Sequence, residues 1–426
     1  MYHTDLTAEL AAHLVDVTIV MPCLNETQSL PHCIANAQAA LDRIAAELGL
    51  TGEIVIADNG STDGSQALAQ QLGARVVAVA DRGYGAALIG GCSDARGRYI
   101  LMGDCDGSYD FTDGVAMIAK LDAGFELCMG SRFAERGSIS TGAMPWKNRY
   151  IGNPVLTGIL NLFFRSGIDD AHCGLRAISA DAFARLKLSG AGMEFASEMV
   201  IKASLLKLRM TQVPAKLLPD LRQRAPHLRP FRDGWRHLRY LFMLSPTWLF
   251  GVPALTAMSA ASLVFLVAAL HGLGVLAGES MFGTSWTIVA GFVFTAGHLS
   301  GVMAVATHLH GVSAGYRQLD RRLKRFGRVL TLENVLLGGI ALLAVGLTGF
   351  AAITIGWGNH GFTRLASTLP LVLVATLGTV GVQTVLGGFM LAIIGGNEAK
   401  FVAVHTLAGP LDGLACSSVK IAVPAE

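Results

Sequence analysis

Two carboxylates stand two residues apart in the segment GDCDGSYD (103–110), directly after the apolar run YILM (99–102). Two further segments, PCLNE (22–26) and DNGSTDGS (58–65), also place polar side chains directly after an apolar run. Carboxylates that share a cleft repel one another unless a cation is present, and oxygen ligands without Cys or His favour Mg²⁺ or Mn²⁺. The pattern therefore predicts a divalent metal ion, whose usual partner is a diphosphate. The four carboxylates expected in this cleft are Glu26, Asp58, Asp104 and Asp106.

Strand-like and helical patterns alternate along the first 200 residues, and these elements would position the polar segments. The strand-like runs are 15–22, 52–58, 75–80 and 98–104, and the helical runs are 29–48, 65–73 and 85–95. This alternation predicts right-handed βαβ units and a mainly parallel sheet, in which ligands bind at the carboxyl ends of strands. A single loop acid is equally well explained by helix capping or by solvation. Three such segments together favour a binding cleft.

Other nucleotide-binding and metal-binding motifs are missing from the sequence. It contains no GxxxxGK[ST] loop, and no GxGxxG follows the first strand, which excludes P-loop chemistry and argues against a dinucleotide redox enzyme. The glycine-rich run DRGYGAALIGG (81–91) indicates either a close-approach turn near a nucleotide or a plain helix start. The seven cysteines form no CxxC pair, so free thiols are expected. A formal net charge of +2 gives no indication of a nucleic-acid partner, and none is predicted.

Four windows in the second half of the chain contain no Asp, Glu, Lys or Arg. They are 240–278, 280–316, 334–363 and 365–397. A membrane-spanning helix needs about 20 apolar residues, so each window predicts one span. The basic loop GYRQLDRRLKRFGR (315–328) joins the second and third windows and is expected on the cytoplasmic side. Because the start of the chain also lacks a signal-peptide pattern, the front domain and both termini are predicted to be cytoplasmic.

The stretch that joins the two halves has an amphipathic pattern. Its aromatic and apolar positions are Phe231, Trp235, Leu238 and Phe242, and its basic positions on another face are Arg232, Arg236 and Arg239. This spacing is typical of a helix in the membrane interface, with rings inserted and guanidinium groups at lipid phosphates. The alternative is a solvated helix that packs on the front domain.

Five motifs in order resemble one known family. They are the segment 17–26, DNGSTDGS (58–65), the Asp-X-Asp at 104–106, GSRF (130–133) and DAHCGLR (170–176). Together they are similar to the family 2 glycosyltransferases, and more narrowly to the polyprenyl-phosphate (dolichol-phosphate mannose synthase-like) glycosyltransferases. The resemblance spans residues 17 to about 245. It implies an α/β catalytic domain of the GT-A fold, followed here by an all-α membrane domain of four transmembrane helices.

Matched position by position, the resemblance implies a donor site. The residues expected to bind the nucleotide are Pro22, Asn25, Glu26, Asp58, Arg82, Gly83 and Asp104. Asp104 and Asp106 match metal ligands, with Mg²⁺ or Mn²⁺ as the expected ion. Ser108 stands where relatives often have Gln as a further metal ligand, which leaves the third ligand open.

The resemblance also implies an acceptor-phosphate site. The matching positions are Arg132, Arg149, Asn153 and the basic stretch after Asp220. Bringing two anions together costs electrostatic work unless arginines screen them, and the candidates for screening are Arg132, Arg149, Arg176, Arg222 and Arg224. Asp170 would orient the acceptor or an arginine, or would be a structural partner of Arg176. The residues expected to act in catalysis are Asp106, Asp170 and Arg132.

A lipid monophosphate is already mostly dianionic at neutral pH, so the reaction needs no strong general base, and direct displacement would invert the anomeric carbon. Glu194 and Glu198 lie four apart on one helical face, and a structural or arginine-pairing role is favoured over catalysis for both.

The sequence thus predicts a multi-pass membrane hexosyltransferase that moves a sugar from a UDP- or GDP-hexose to a polyprenyl phosphate at the cytoplasmic face. Two alternatives stay open: another lipid acceptor, such as a lipid-linked sugar or a ceramide-like lipid, or a non-catalytic transporter or scaffold with a nucleotide-sensing front domain. A homo-oligomer is also left open. The expected divisions are an extension (1–16), the GT-A domain (17–230), an amphipathic helix (231–245), the membrane domain (246–400) and a cytoplasmic tail (401–426).

Overall fold

The computed structural model describes residues 15–134, 138–222, 230–277, 282–319, 325, 330–363, 365 and 367–396, without the side chains of 230, 231 and 233. The chain forms two compact units, Met1–Trp248 and Leu249–Glu426. The predicted extension up to residue 14, Arg224, most of the basic loop and the tail from 401 lie outside the described residues. The expected division between residues 230 and 246 stays a prediction.

A seven-stranded, mainly parallel sheet forms the centre of the first unit. Its order is β3-β2-β1-β4-β7-β5-β8, and a separate pair joins β6 to β9. The strands are β1 (Val17–Cys23), β2 (Gly52–Asp58), β3 (Arg75–Ala78), β4 (Tyr99–Met102), β5 (Leu127–Ser131), β6 (Ser138–Ile139), β7 (Arg176–Ser179), β8 (Met210–Pro214) and β9 (Lys216–Leu217). Only β7 runs antiparallel to its neighbours in the described sheet. The predicted mainly parallel α/β fold is confirmed.

Eight α-helices of the first unit are described, besides the 3₁₀ helix Phe111–Asp113 and the π-helical turn Asn148–Gly152. They are α1 (Leu30–Leu48), α2 (Ser65–Gln71), α3 (Tyr84–Ser93), α4 (Gly114–Asp122), α5 (Asn153–Phe164), α6 (Ala180–Leu186), α7 (Phe195–Leu206) and α8 (Pro230–Met243). The helix α1 shows why the sequence folds this way: Leu30, Ile34, Leu41 and Ile44 form one buried stripe. It ends at Gly49, whose φ of 70° suits a left-handed cap.

The three polar segments meet because the strands before them are neighbours. In the parallel pairing of β1 with β2, Cys23 lies opposite Asp58, and β1 also pairs with β4, where Val20 lies opposite Met102. The segments that follow Cys23, Asp58 and Met102 therefore leave the same edge of the sheet.

The helix α8 packs on the front domain along one side and is exposed along another. His237 and Leu241 are buried, whereas Trp235 is exposed. Phe242 makes an edge contact with Phe163 of α5, with ring centroids 5.3 Å apart. The helix thus packs on the front domain, as the alternative to a membrane helix predicts, but it also exposes an aromatic residue. Its insertion in a membrane stays a prediction.

Four long apolar helices are described in the second unit. They are α9 (Val252–Gly272), α10 (Thr284–Ser313), α11 (Leu332–Asn359) and α12 (Leu369–Ile394). Each is long and apolar enough to cross a membrane, and the first span begins at Thr247. Each overlaps one of the four predicted windows, but α11 begins at Leu332, two residues before the third window, and so includes Glu333. An added Cβ at Gly346 would lie 2.6 Å from the backbone nitrogen of Gly378, so α11 and α12 pack with their backbones in close approach.

Candidate active site

The loop after β2 is organised by Asp58. Its buried Oδ2 accepts hydrogen bonds from the backbone N–H groups of Gly60 (3.0 Å) and Ser61 (3.1 Å) and from Gln66 Nε2 (2.5 Å). With three donors on one oxygen, the carboxylate fixes the shape of the DNGSTDGS loop. The structure therefore gives Asp58 a loop-shaping position at the predicted nucleotide site.

The PCLNE segment is fastened to the same loop. Asn25, in a left-handed conformation with a φ of 59°, accepts from the N–H of Thr62 at 2.8 Å. The backbone N–H of Glu26 donates to Ser65 Oγ at 2.9 Å, and the buried Glu26 side chain accepts from Ser29 Oγ at 3.1 Å. Pro22 lies opposite Ala57 in the sheet. The PCLNE and DNGSTDGS segments are thus joined by hydrogen bonds into one side of the predicted nucleotide site.

Asp104 and Asp106 have different partners. Tyr84 OH donates to Asp104 Oδ1 at 2.8 Å, while Asp106 accepts from the N–H of Ser108 (2.9 Å) and from Arg222 Nη2 (2.8 Å). Burial and the negative charge of Asp106 raise the pKa of Asp104 from 3.8 to about 6. Tyr84 was not predicted as a site residue, although it lies within the glycine-rich run.

The glycines of that run make room for the protein's own backbone. An added Cβ at Gly83 would lie 2.1 Å from the carbonyl oxygen of Ala191, and one at Gly85 would lie 2.0 Å from that of Gly190. The helix α3 begins at Tyr84, next to the exposed Arg82. The run therefore starts a helix, as one interpretation had it. Its glycines also allow a close approach, but to the backbone of residues 190–191.

Residues 218–222, called the strap below, follow β9 and hold the acid loop, residues 104–108. The N–H groups of Leu218 and Leu221 donate to the carbonyls of Ser108 (2.8 Å) and Asp106 (2.9 Å). Gly107, with a φ of 77°, lies beneath Leu221, where an added Cβ would approach Leu221 Cδ1 to 2.5 Å. The strap ends in Arg222.

Arg222 lies among carboxylates. It pairs with Asp106, with Glu26 Oε1 at 3.4 Å and with Asp220, whose Oδ2 is 2.7 Å from Arg222 Nε. The expected place of Arg222 was the acceptor phosphate, and the structure instead puts it with the predicted donor residues. The physical reason is that the strap is hydrogen-bonded to the acid loop, so Arg222 at its end lies beside the carboxylates of Glu26, Asp106 and Asp220.

Asp170 and Arg132 form a buried ion pair. Arg132 Nε donates to Asp170 Oδ2 at 2.6 Å and Nη2 donates to Oδ1 at 2.8 Å, and the backbone N–H of Arg132 also donates to Oδ2. Both side chains are buried. Asp170 thus orients an arginine, as one expectation had it, and the alternative partnership with Arg176 is wrong.

Tyr109 connects this ion pair to the acids. Arg132 Nη1 donates to Tyr109 OH at 3.3 Å, and the N–H of Gly174 donates to the same oxygen at 2.9 Å. An added Cβ at Gly174 would lie 2.5 Å from Asp104 Oδ2. The GSRF, DAHCGLR and Asp-X-Asp motifs therefore converge on one place, through a tyrosine that the sequence reasoning missed.

A cavity of about 520 Å³ opens beside Arg132. Its lining includes Arg132, Phe133, Ile139, Arg149, Tyr150 and Pro154. Asn153, which was expected at the acceptor phosphate, donates to Met144 Sδ at 3.5 Å. The cavity combines two guanidinium groups with apolar and aromatic walls, which suits an anion attached to an apolar chain.

Arg176 is placed differently from its expected role at the acceptor phosphate. It is only 2% exposed and donates to the carbonyl oxygens of Cys173 (2.5 Å) and Ala196 (3.3 Å). Because β7 is inserted between β4 and β5, its first residue lies inside the domain. This placement does not support contact between Arg176 and an acceptor.

The acids suit a metal ion that is shared with a diphosphate. Within the described residues, no group of three or more His, Cys, Asp or Glu side chains is arranged to hold a metal ion. Mg²⁺, however, commonly binds through one or two carboxylates together with substrate phosphates and water. Asp104 and Asp106 supply two carboxylates. Burial first, and then the charge of Asp106, raises the pKa of Asp104, and a cation would relieve the repulsion between the two carboxylates. Ser108 as third ligand stays a prediction.

Comparison with known proteins decides the family. Residues 18–187 match the glycosyl transferase family 2 model, and residues 305–395 match the model of the family 2 C-terminal transmembrane region. The low-salt glycan biosynthesis hexosyltransferase Agl6 of Haloferax volcanii is 33% identical over 89% of this chain and 89% of its own length. The chain belongs to glycosyltransferase family 2.

One further relative and one solved structure are less similar to this family 2 glycosyltransferase. The polyprenol monophosphomannose synthase of Mycolicibacterium smegmatis is 28% identical over 40% of this chain and 64% of its own length. The solved glucosyl-3-phosphoglycerate synthase of Mycobacterium tuberculosis, with Mn²⁺ and UDP-glucose, is 20% identical with a TM-score of 0.40, over 57% of this chain and 80% of that one. The predictions of a membrane glycosyltransferase and of its family are confirmed, and the enzyme is related to polyprenyl-phosphate sugar transferases.

The raised pKa of Asp104 gives an expected pH dependence of stability in the nucleotide-free and metal-free enzyme. In the folded state Asp104 keeps its proton up to about pH 6, whereas the unfolded chain loses it near pH 4. Between these values the folded state binds more protons, so this carboxyl's contribution makes the protein less stable as the pH rises. Between about pH 4 and pH 6, the melting temperature should therefore fall less steeply with rising pH in Asp104→Asn than in the unsubstituted enzyme. Identical slopes in both proteins would contradict the assignment.

Proposed function

We propose that the enzyme transfers a hexose from a UDP- or GDP-sugar to a polyprenyl phosphate, with inversion at the anomeric carbon and with the help of a divalent metal ion. The observation that carries this proposal is the adjacency of two sites of opposite charge. Tyr109 is bonded to Arg132 of the cationic cavity, and Gly174 approaches both Tyr109 and Asp104. A donor at the acids and an anionic acceptor at the cavity would therefore meet at this junction.

The names of two relatives support a polyprenyl acceptor. One is a polyprenol monophosphomannose synthase, and another, from Pseudomonas aeruginosa, is an undecaprenyl-phosphate 4-deoxy-4-formamido-L-arabinose transferase that is 35% identical over 28% of this chain. Both names specify a polyprenyl acceptor. The walls of the cavity, Phe133, Ile139, Tyr150 and Pro154, supply the apolar surface that the first isoprene units would contact.

The chain's own residues do most of the work in this mechanism. Arg132 is held rigidly by Asp170 and offers its charge to the acceptor phosphate, while Arg149 enters the same cavity from the segment before α5. The fixed guanidinium geometry offsets the repulsion between the two anions and orients the phosphate oxygen towards the sugar. A bound Mg²⁺ or Mn²⁺ would neutralise charge that develops on the leaving diphosphate.

Arg222 has a second part in this proposal. In the structure its guanidinium neutralises Asp106 and Glu26, and an arriving diphosphate with its cation would compete for those carboxylates. Arg222 would then be free to pair with a phosphate oxygen of the donor.

The catalytic domain is proposed to face the cytoplasm, because the basic loop 315–328 follows the positive-inside bias.

The proposal predicts a lipid-linked sugar as product. Purified enzyme in lipid is incubated with a panel of UDP- and GDP-hexoses and undecaprenyl or dolichyl phosphate, and the lipid phase is extracted and analysed by mass spectrometry. The expected result is one hexosyl phosphoryl polyprenol that forms only with a divalent ion. A product on a lipid-linked sugar or ceramide alone would replace polyprenyl phosphate as the acceptor. Nucleotide binding without any turnover would contradict an enzymatic role.

A further inference from the structure

Asp104 is held by fewer hydrogen bonds than the neighbouring acids. Among the described residues it accepts one hydrogen bond, which Tyr84 OH donates to its Oδ1 at 2.8 Å. Asp106, by contrast, accepts from a backbone N–H and from a guanidinium group, and Asp58 accepts from three donors on Oδ2 alone. The orientation of the Asp104 carboxylate therefore depends on one phenol hydroxyl.

Tyr84 is itself placed by the backbone on either side of it. The N–H of Gly83 donates to Asn59 Oδ1 at 2.7 Å, which ties the residue before Tyr84 to the loop after β2. The N–H of Ala86 donates to the carbonyl oxygen of Ala191 at 3.1 Å. Because Tyr84 begins α3 between these two bonds, its hydroxyl starts from a fixed position.

The second oxygen of Asp104 lies against a glycine. An added Cβ at Gly174 would lie 2.5 Å from Asp104 Oδ2 and 2.8 Å from Tyr109 Cε2, so only a residue without a side chain leaves Oδ2 its place. None of the hydrogen bonds within the described part of the chain reaches this oxygen. The two carboxylate oxygens therefore differ: Oδ1 is taken by the phenol of Tyr84, and Oδ2 is left for a ligand.

A tyrosine is well suited to orient a carboxylate that has to bind a cation. Its hydroxyl has an ordinary pKa of about 10 and so donates its proton at neutral pH. Burial raises the pKa of Tyr84 well above that value. An arginine in the same place would neutralise Asp104, whereas a neutral phenol fixes the direction of the carboxylate and leaves its negative charge for a metal ion.

We infer that Tyr84 is a positioning residue for sugar transfer, because its hydroxyl holds Asp104 Oδ1 so that Oδ2 faces the cation and the diphosphate of the donor. The inference rests on the proposed function, since the divalent ion belongs to that proposal. Tyr84 acts through Asp104 and needs no contact with the sugar. Hydrogen-bonded partners of metal ligands typically contribute about 10–100-fold to metal affinity or activity.

The test is Tyr84→Phe in the full-length enzyme in lipid, because this substitution keeps the ring and removes the hydroxyl. Binding of Mn²⁺ is measured by electron paramagnetic resonance in the presence of UDP and, separately, of GDP. The expected result is a dissociation constant for Mn²⁺ that rises about 10–100-fold. Initial rates should fall by a similar factor at limiting Mn²⁺, and saturating Mn²⁺ should restore most of kcat.

Tyr99→Phe is the matched control. Tyr99 OH also donates to an aspartate, Asp122 Oδ1 at 3.1 Å, but in an exposed contact at the start of β4, away from the acid loop. The control should bind Mn²⁺ as the unsubstituted enzyme does. If Tyr84→Phe binds Mn²⁺ like the control while transfer still requires a divalent ion, the inference is wrong and the proposed function stands.

Two other results would also overturn the inference. A loss of rate in Tyr84→Phe that saturating Mn²⁺ does not restore, with an unchanged dissociation constant for Mn²⁺, would indicate a purely structural role. Full transfer by the unsubstituted enzyme without a divalent ion would refute the metal part of the proposed function, and the inference would fail with it.

Discussion

Asp106→Asn is expected to reduce sugar transfer by at least about a hundredfold, since removing one group that stabilises transition-state charge typically costs about 10²–10³ in rate. Asp106 stands at the centre of the predicted donor site, where it accepts from Ser108 N–H and pairs with Arg222. The amide can still accept from Ser108, so the loop should keep its shape while the charge is lost. Initial rates at saturating donor, with Mn²⁺ titrated, measure this effect.

Asp122→Asn is the matched control for this substitution. Asp122 is half-exposed at the end of α4 and interacts only with Arg98 and Tyr99 among the contacts that the described structure gives it. Its removal should leave the rate within about twofold, as expected for a surface ion pair of about 0–1 kcal/mol. Direct Mn²⁺ binding in the presence of nucleotide should weaken in Asp106→Asn only. Undiminished transfer by that variant, or by the unsubstituted enzyme with excess chelator, would refute the metal role.

The second large effect concerns stability. Asp170→Ala should lower the free energy of unfolding of the front domain by about 3–5 kcal/mol, because it leaves the guanidinium of Arg132 buried without its counter-ion. Asp170 Oδ2 also accepts the backbone N–H of Arg132, and that hydrogen bond is lost as well. Pulse proteolysis of the intact enzyme in micelles with increasing urea would measure the change in the front domain.

Two comparisons separate the buried charge from other causes. Asp181→Ala breaks the exposed pair with Arg185 and should change stability by less than about 1 kcal/mol. The double variant Arg132→Met with Asp170→Leu removes both charges, so it should regain most of the lost stability while staying inactive. If Asp170→Ala is as stable as Asp181→Ala, the pair does not hold the domain together.

Local patterns in the sequence were sufficient for the elements and for the meeting of the acids. The alternation of strands and helices predicts the parallel sheet, and β1, β2 and β4 do bring the three polar segments to one edge. Four charge-free windows predict the four spans. These features depend on periodicity and on chain order, which a single sequence displays directly.

The partners of the arginines could not be predicted in this way, because they depend on residues far apart in the chain. Arg132 and Asp170 are 38 positions apart, and Arg222 and Asp106 are 116 apart. The antiparallel strand β7 adds a further difficulty. The parallel strands bring the segments that follow them to the site edge of the sheet. Because β7 runs in the opposite direction, it brings the segment that precedes it, DAHCGL, to that edge.

The strap, residues 218–222, fastens the acid loop to the segment that follows β9. It grips the acid loop through Leu218 and Leu221, and the chain then continues into α8, where His237 accepts or donates a hydrogen bond at 2.8 Å with Ser197. A donor that displaces Arg222 from Asp106 would leave the backbone hydrogen bonds of Leu218 and Leu221 to hold the acid loop in place.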